Sequence, residues 1–256
     1  MRATAFGIDI GGSGIKGAPV DLESGELTTE RIRFATPSPS TPKAVAKTVA
    51  QLLAEFGSDI DGLPIGITIP CIVLHGVTKL SANLDPKWID CQAADLLSST
   101  VGRTVHLLND GDAAGIAEVY YGAAKGQDGL VIMTTLGTGI GSAILYNGVL
   151  VPNTELGHLE IDGFDAEKRA AASIKTIEDL SWKAYIKRVQ RYYETLEMLF
   201  SPDLFVVGGG ISRDSDKFLP FLKLRAPIVP AHLRNQAGIV GAAWHAHQLD
   251  QSGRAD

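Results

Sequence analysis

Two short segments of this chain repeat one another. Gly12-Ser13-Gly14-Ile15 and Gly137-Thr138-Gly139-Ile140 stand at a constant offset of 125 residues, and each follows an apolar run. Residues 4–10 (Thr-Ala-Phe-Gly-Ile-Asp-Ile) read as a buried strand, residues 11–17 as a glycine-rich turn, and Ala18-Pro19-Val20 as a second strand leading to a turn at residues 23–26. Residues 130–135, 136–141 and 142–146 repeat that order of strand, turn and strand. The repeat predicts one internal duplication of a hairpin unit, with chance likeness of two glycine turns as the alternative.

The other elements fall around this pair. Val45, Val49, Leu52, Leu53 and Phe56 recur at helical spacing, so a helix is expected over 41–56. Residues 63–73 form a strand-like run broken by Pro70, and 104–108 a short strand ending at Asn109-Asp110-Gly111-Asp112. A helix over 112–121, a long helix over 176–200 and a C-terminal helix over 238–249 follow, with a frayed end from Asp250. Leu204 to Gly210 reads as a strand running into a third glycine turn.

Composition excludes several classes. At 256 residues, 45% apolar and 20% charged, the chain can bury a substantial core and is not disordered. No apolar run approaches a membrane span, and Met1-Arg2-Ala3-Thr4 leads directly into a strand, so neither membrane segment nor secretory leader is expected. Cys71 and Cys91 make neither a disulfide framework nor a zinc spacing, which fits a reducing cytoplasm. A net charge of −6 argues against nucleic acid as a partner. The charge is uneven: residues 1–166 hold 10 basic and 19 acidic side chains, residues 167–256 hold 13 and 10.

The glycine turns invite a phosphate reading. Gly12-Ser13-Gly14-Ile15-Lys16-Gly17 satisfies G-x-G-x-x-G, but a strand follows it where a dinucleotide fingerprint requires a helix. Lys16 precedes Gly17 rather than the Ser or Thr of a Walker A loop. What remains is a hairpin turn whose N–H groups can approach oxyanions closely, or a tight turn with no ligand. Three such turns, at Gly11–Gly14, Gly137–Gly141 and Gly208–Gly210, each after an apolar strand, favour a polyphosphate-bearing ligand. Asp9 before the first turn can hold the water shell of Mg²⁺, or simply accept local N–H bonds. Asp110, at a strand end, suits a general base for an alcohol; capping the next helix is the alternative, and Asp112 is the stronger candidate for that cap. Glu155-Leu156-Gly157-His158 places two polar groups three residues apart, suited to one small polyol or to an ordinary surface turn.

Taken together these motifs resemble the ROK sugar kinases. The resemblance rests on the Asp9–Gly17 opening, Asn109-Asp110-Gly111, Leu136-Gly137-Thr138-Gly139-Ile140-Gly141 and Glu155-Leu156-Gly157-His158, in the family's order over about residues 5–245. Pro152 to Glu160 is closer still to the actinobacterial polyphosphate glucokinases, including the polyphosphate/ATP glucomannokinase type. The resemblance implies an α/β, actin-like ATPase fold (a duplicated ribonuclease-H-like fold) with two domains around a cleft. Residues 1–108 joined by helix 238–249 would form the smaller domain, and 109–237 the larger. It implies that Asp110 deprotonates the 6-hydroxyl of glucose or mannose. Asn83, Asn109, Glu155, His158 and Glu167 would hold the sugar. Gly11, Gly12, Ser13, Gly14, Lys16, Gly137, Thr138 and Gly139 would meet the terminal phosphates of ATP or polyphosphate. Gly209 and Gly210 would border the rest of the donor, with Mg²⁺ reached from Asp9 through water.

Two departures stand out. Many ROK proteins carry a Cys-rich zinc motif after Gly-His, but residues 161–172 contain no cysteine, so neither structural zinc nor a metal role for His158 is expected. Pro70-Cys71 stands where the family often has Pro-Gly, which puts sugar selectivity in question. For the donor, Lys183, Lys187 and Arg191 fall at i, i+4 and i+8, with Arg188, Lys168 and Arg169 nearby. By spacing alone this is a solvated helix face; the resemblance makes it a track for a phosphate chain. Rival readings are a sugar-responsive repressor, disfavoured by the acidic chain and by a sequence that opens on the phosphate-turn strand; a non-catalytic sugar-binding protein; and a strictly ATP-dependent kinase. Monomer and homodimer are both left open.

Overall fold

The computed structural model describes residues 3–81 and 84–253. Asn83 lies outside the described residues. The chain divides into two compact units, Met1–Ala117 with Gln236–Asp256, and Glu118–Asn235. The division falls inside a helix, at Ala117/Glu118, rather than at residue 108.

The first unit is built on five strands: β1 (Thr4–Ile10), β2 (Ile15–Asp21), β3 (Ile32–Phe34), β4 (Ile65–Ile69) and, at the far edge, a strand at Val105–Asn109. Helix α1 (Pro42–Ala54) buries Val45, Val49, Leu52 and Leu53, the positions its period predicts; Thr41 caps it and Pro42 opens it. A small sheet of β5 (Cys71–Leu74), β6 (Val77–Ser81) and β7 (Cys91–Gln92) follows, then α2 (Ala93–Val101), then that edge strand, β8. The sheet order is β3-β2-β1-β4-β8, with β1–β2 antiparallel and β1–β4–β8 parallel. β4 is buried at every residue, as a central parallel strand must be when both faces are covered. Helix α3 (Asp110–Tyr121) leaves β8 directly.

The second unit holds β9 (Leu130–Leu136), β10 (Ile140–Tyr146) and β11 (Val149–Val151), a small hairpin of β12 (Glu160–Ile161) and β13 (Phe164–Asp165), then α4 (Glu167–Ala170), α5 (Ala172–Ile177), α6 (Trp182–Phe200), β14 (Leu204–Gly208) and β15 (Ile228–Pro230). Its main sheet runs β11-β10-β9-β14-β15, with β9–β10 antiparallel and β9–β14–β15 parallel. Strand for strand this is the order of the first sheet, which is the duplication the glycine repeat announced. The turns differ by one residue: Ile10 pairs with Ile15, but Leu136 pairs with Ile140. The first turn is also shorter than expected, because β2 already begins at Ile15.

The long helix expected over 176–200 starts six residues later. Asp179 takes a left-handed conformation (φ 46°) that ends the preceding helical segment, and Ser181 caps α6 through the N–H of Ala184. α6 buries Tyr185, Val189, Tyr192, Tyr193 and Leu196, and the Tyr193 hydroxyl meets that of Thr134 on β9 at 2.6 Å.

Helix α7 (Ala237–Ser252) returns the chain to the first unit and continues past Asp250, where fraying was expected, to a left-handed Gly253. It packs on β1 and β4 backbone to backbone. A Cβ on Gly7 or Gly66 would fall 1.9 Å from the carbonyl oxygen of Ile239 or Ala242, and one on Gly241 1.9 Å from that of Ala113. Among the described residues, no helix is long and apolar enough to cross a membrane.

Candidate active site

In the first unit, β1 and β2 present the first glycine turn. Gly11 N–H donates to the Gly14 carbonyl at 3.0 Å, closing it. Two contacts from beyond the hairpin hold it: the Arg33 guanidinium donates to the Ser13 carbonyl at 2.8 Å, and the Thr36 hydroxyl donates to the Gly11 carbonyl. A Cβ on Gly14 would strike that guanidinium at 2.5 Å. Arg33, on β3, is thus a cation at the turn that sequence reasoning missed, because a three-residue strand leaves no periodic signal.

Asp9 lies at the same end of β1. Its Oδ2 pairs with Lys16 Nζ at 2.9 Å, and its Oδ1 accepts from the Thr68 hydroxyl at 3.1 Å. Both partners are donors, so the carboxylate is held in a fixed orientation with lone pairs to spare. Such an oxygen donor fits Mg²⁺ held through water, and releasing Lys16 to a phosphate would bare it further.

Asp110 opens α3 at the C-terminal end of β8 and is exposed. The helix cap is neither Asp110 nor Asp112 but Asn109. Its Oδ1 accepts from the N–H groups of Gly111 (2.7 Å) and Asp112 (3.2 Å), and its Nδ2 donates to the Cys71 carbonyl at 3.1 Å. The Asn109 amide therefore ties β8, β5 and α3 together and positions Asp110. Cys71 itself is 3% exposed and belongs to the hydrophobic core, so its side chain packs inward. Neither cysteine forms a disulfide.

In the second unit the Glu155–His158 motif folds as a single 3₁₀ turn over Leu156–His158, a geometry that aligns positions three apart. Ser142 on β10 anchors it, accepting from Leu156 N–H at 2.9 Å and donating to the Thr154 carbonyl at 2.6 Å. Gly157 is required there, since a Cβ would fall 2.3 Å from the Ile140 carbonyl oxygen. Burial pushes the Glu155 carboxyl above its ordinary pKa, with His158 opposing and Glu167 adding to the rise. His158 Nδ1 lies 3.0 Å from Asp165 Oδ2, and this bond raises the imidazole pKa. Asp165 was not singled out in the sequence; its bond to Nδ1 fixes the ring and leaves Nε2 outside that bond.

Glu167 joins this cluster to the second glycine turn. Its Oε2 accepts from Ile140 N–H at 3.2 Å and lies 2.4 Å from where a Cβ on Gly139 would sit. Ser173 braces the turn from α5: its N–H donates to the Gly137 carbonyl (3.0 Å) and its hydroxyl to the Thr138 carbonyl (2.6 Å). His158, Asp165 and Glu167 offer donor atoms within 4.8 Å of one another, close enough to share a cation. Each already has a protein partner: His158 has Asp165, Asp165 Oδ1 accepts from Glu167 N–H at 3.1 Å, and Glu167 has Ile140.

The third turn adjoins the second. Gly209 holds φ 81°, and a Cβ on it would meet the Leu136 carbonyl oxygen at 2.4 Å, so a side chain there is excluded twice. A cavity of about 240 Å³ opens at Gly209 and Gly210, with Ser212, Arg213, Arg234 and Asn235 around it. Arg213 and Arg234 are further cations that the sequence reading did not single out. The structure thus brings two of the three turns together within one unit, beside Glu155, His158 and Glu167.

Lys183 and Lys187 are exposed on α6 and carry no ion pair among the described residues. Arg191, the third member of that stripe, forms a two-bond pair with Asp162, each bond 2.8 Å, and Arg188 pairs with Glu178 at 2.6 Å.

Comparison with known proteins supplies the context. The polyphosphate glucokinase of Mycobacterium tuberculosis (strain CDC 1551 / Oshkosh) is 52% identical over 93% of this chain and 89% of its own length. The crystal structure of the inorganic polyphosphate/ATP-glucomannokinase from Arthrobacter sp. strain KM superposes with a TM-score of 0.90 at 52% identity, covering 96% of this chain and 99% of that one. A ROK family glucokinase from Streptomyces griseus, solved with glucose and AMPPNP, shares the fold at a TM-score of 0.81 and 24% identity, covering 96% of this chain and 99% of its own. The fold is the actin-like ATPase fold of these kinases. The ROK family model matches residues 5–178. The chain belongs to the ROK family.

Proposed function

We propose that the protein is a hexose kinase. It transfers the terminal phosphoryl group of inorganic polyphosphate or ATP to the 6-hydroxyl of glucose, and of mannose as a second substrate. The observation that carries this reading is Glu167 lying between the His158–Asp165 pair and the Gly137–Gly139 turn. A polyol-suited cluster is thereby built directly against a phosphate-suited turn. The 52% identity to polyphosphate glucokinases over nearly the whole chain supports the same chemistry.

Asp110 takes the proton from the 6-hydroxyl as its oxygen attacks the terminal phosphorus. The phosphoanhydride bond breaks, and the electron pair leaves with ADP or with the shortened polyphosphate. Glu155, His158 and Glu167 hold the other hydroxyls, with Asn109 positioning Asp110; Asn83 is assigned to the sugar by the resemblance alone. Gly11, Gly12, Ser13, Gly14 and Lys16 meet donor phosphates, as do Gly137, Thr138 and Gly139. Arg33 supports the first turn, while Gly209 and Gly210 with Arg213 and Arg234 receive the rest of the donor. Mg²⁺, held through water by Asp9, would neutralise charge on the donor phosphates. The reaction belongs in the cytoplasm.

A strictly ATP-dependent kinase is the second reading, favoured by one observation. The Asp162 pair occupies Arg191, leaving two lysines of the proposed polyphosphate stripe without an ion pair among the described residues. The deciding experiment is a donor-by-sugar matrix on purified protein: ATP and long-chain polyphosphate against glucose and mannose. Turnover with both donors on glucose supports the first reading, ATP alone the second, and no turnover with any pair refutes both.

A further inference from the structure

The register of the first sheet lines up three charges. Asp9 on β1 stands opposite Lys16 on β2, and Lys16 stands opposite Arg33 on β3. Residues directly opposite in a ladder share a face, so the row ends in two adjacent cations, and like charges so placed destabilise a sheet. Asp9 answers one of them, its Oδ2 lying 2.9 Å from Lys16 Nζ. Arg33 is exposed and has no ion pair among the described residues. The row therefore keeps one uncompensated positive charge beside the first glycine turn.

Arg33 is also fixed in place. Its Nη2 donates to the Ser13 carbonyl at 2.8 Å, and the guanidinium rests on Gly14, where a Cβ would fall 2.5 Å from Nε and 2.6 Å from Nη2. Bracing a carbonyl does not require a charge: the Thr36 hydroxyl holds the Gly11 carbonyl of the same turn with a neutral donor. With the carbonyls of Gly11, Ser13 and Gly14 all engaged, the N–H groups of Gly12, Ser13 and Gly14 find no acceptor among the described residues. Successive free N–H groups in a turn form a nest for an anion, and a guanidinium is the cation best matched to phosphate oxygens.

We infer that Arg33 is a donor-binding residue: while one N–H holds the Ser13 carbonyl, its other N–H groups bond the phosphate seated on the turn. The inference rests on the kinase reading and adds to it a contact supplied from β3, outside the glycine motif. An anion shared by Lys16 and Arg33 turns the repulsive cross-strand pair into an attractive cluster, which gives the two adjacent cations a common purpose. Because the guanidinium is already held against Gly14, little side-chain freedom is lost when the donor arrives.

The probe is inorganic tripolyphosphate, titrated calorimetrically into the purified full chain without sugar. Arg33→Met should weaken it at least tenfold at low ionic strength, and the deficit should shrink to about twofold near 1 M salt, where the screening length is roughly 3 Å. Arg33→Lys, which keeps the charge but not the fork, should fall between the two and keep the salt response. Thr36→Val removes the neutral brace and is the control for a purely structural role: its deficit should be the same at low and high salt. Glucose affinity should stay within about twofold of wild type in all three. An Arg33→Met protein that binds tripolyphosphate as wild type does overturns the inference. So does a deficit that ignores salt, because Arg33 would then only brace the turn. Either result, with wild-type turnover intact, leaves the kinase reading standing; wild type that neither binds tripolyphosphate nor turns over glucose overturns both.

Discussion

Substituting Gly66 by alanine tests how α7 is seated. The new Cβ would lie 1.9 Å from the Ala242 carbonyl oxygen and 2.4 Å from its carbon, both backbone atoms of α7. An ordinary contact is about 3.4 Å, so the helix must retreat by about 1.5 Å (3.4 less 1.9) or the strand must bend. β4 cannot easily bend, being paired in register with β1 on one side and β8 on the other. Overpacking costs about 1–3 kcal/mol, and a gap of 0.5–1 Å along the rest of the helix forfeits a quarter to a half of each contact. Together these put the loss at the upper end, about 3 kcal/mol. For a chain of this size that lowers the melting temperature by about 6–12 °C, using roughly 2–4 °C per kcal/mol. The retreat also moves Gly238, whose Cβ position is 2.9 Å from the Asp9 carboxylate, so donor KM should rise. Scanning calorimetry of Gly66→Ala beside Gly210→Ala, whose Cβ would meet nothing within 4 Å, makes the measurement. A loss below about 1 kcal/mol, or an equal loss in both, refutes the backbone-contact account.

Glu118 is fully buried and accepts from the N–H groups of Ala123 (2.7 Å), His232 (3.0 Å) and Leu233 (2.7 Å). Glu118→Gln replaces one acceptor by an opposed donor and should cost about 2–4 kcal/mol by urea unfolding; an unchanged midpoint contradicts it. Because the His158 pKa is raised through Asp165, that pair's stability is present below the unfolded value of about 6.5 and lost as pH rises through the folded one. Asp165→Asn should therefore lower the melting temperature at pH 6 and barely change it at pH 9; the reverse pattern refutes the assignment. Glu155 takes up its proton at higher pH than an ordinary glutamate, so glucose KM should rise on the acid side before donor KM does. Replacing Lys183, Lys187 and Arg191 by alanine should reduce use of long-chain polyphosphate at least tenfold and ATP use little; equal losses refute the stripe.

What the sequence disclosed depended on how local its cause was. The strands flanking the glycine turns were legible because buried parallel strands demand apolar runs and glycine punctuates them. α1 was legible because its buried face repeats at helical spacing. β3, β12, β13 and β15 were not, since two or three residues carry no period. That omission hid Arg33, whose contact with Ser13 spans 20 residues. The true start of α6 was masked by apolar residues on both sides of Ser181. The cap of α3 was misassigned to Asp112 because an Asn–Asp–Gly–Asp run offers three capping side chains, and only the Cys71 carbonyl, distant in sequence, orients Asn109 to win. Glu118, with partners 114 and 115 residues away, gave no signal at all. The Glu155–His158 pair was legible as a candidate because a single turn of backbone, 3₁₀ over Leu156–His158, holds it.

The central claim is that Asp110 is the base. Its substitution by asparagine preserves size and the acceptor for Gly111 N–H while removing the capacity to take a proton. Turnover of glucose by purified Asp110→Asn, with ATP and with polyphosphate, should fall at least a thousandfold, on the scale of about 10²–10⁴ for general-base catalysis. Glucose binding measured by calorimetry should stay within about threefold of wild type. Retained turnover, or loss of glucose binding in step with activity, contradicts the assignment.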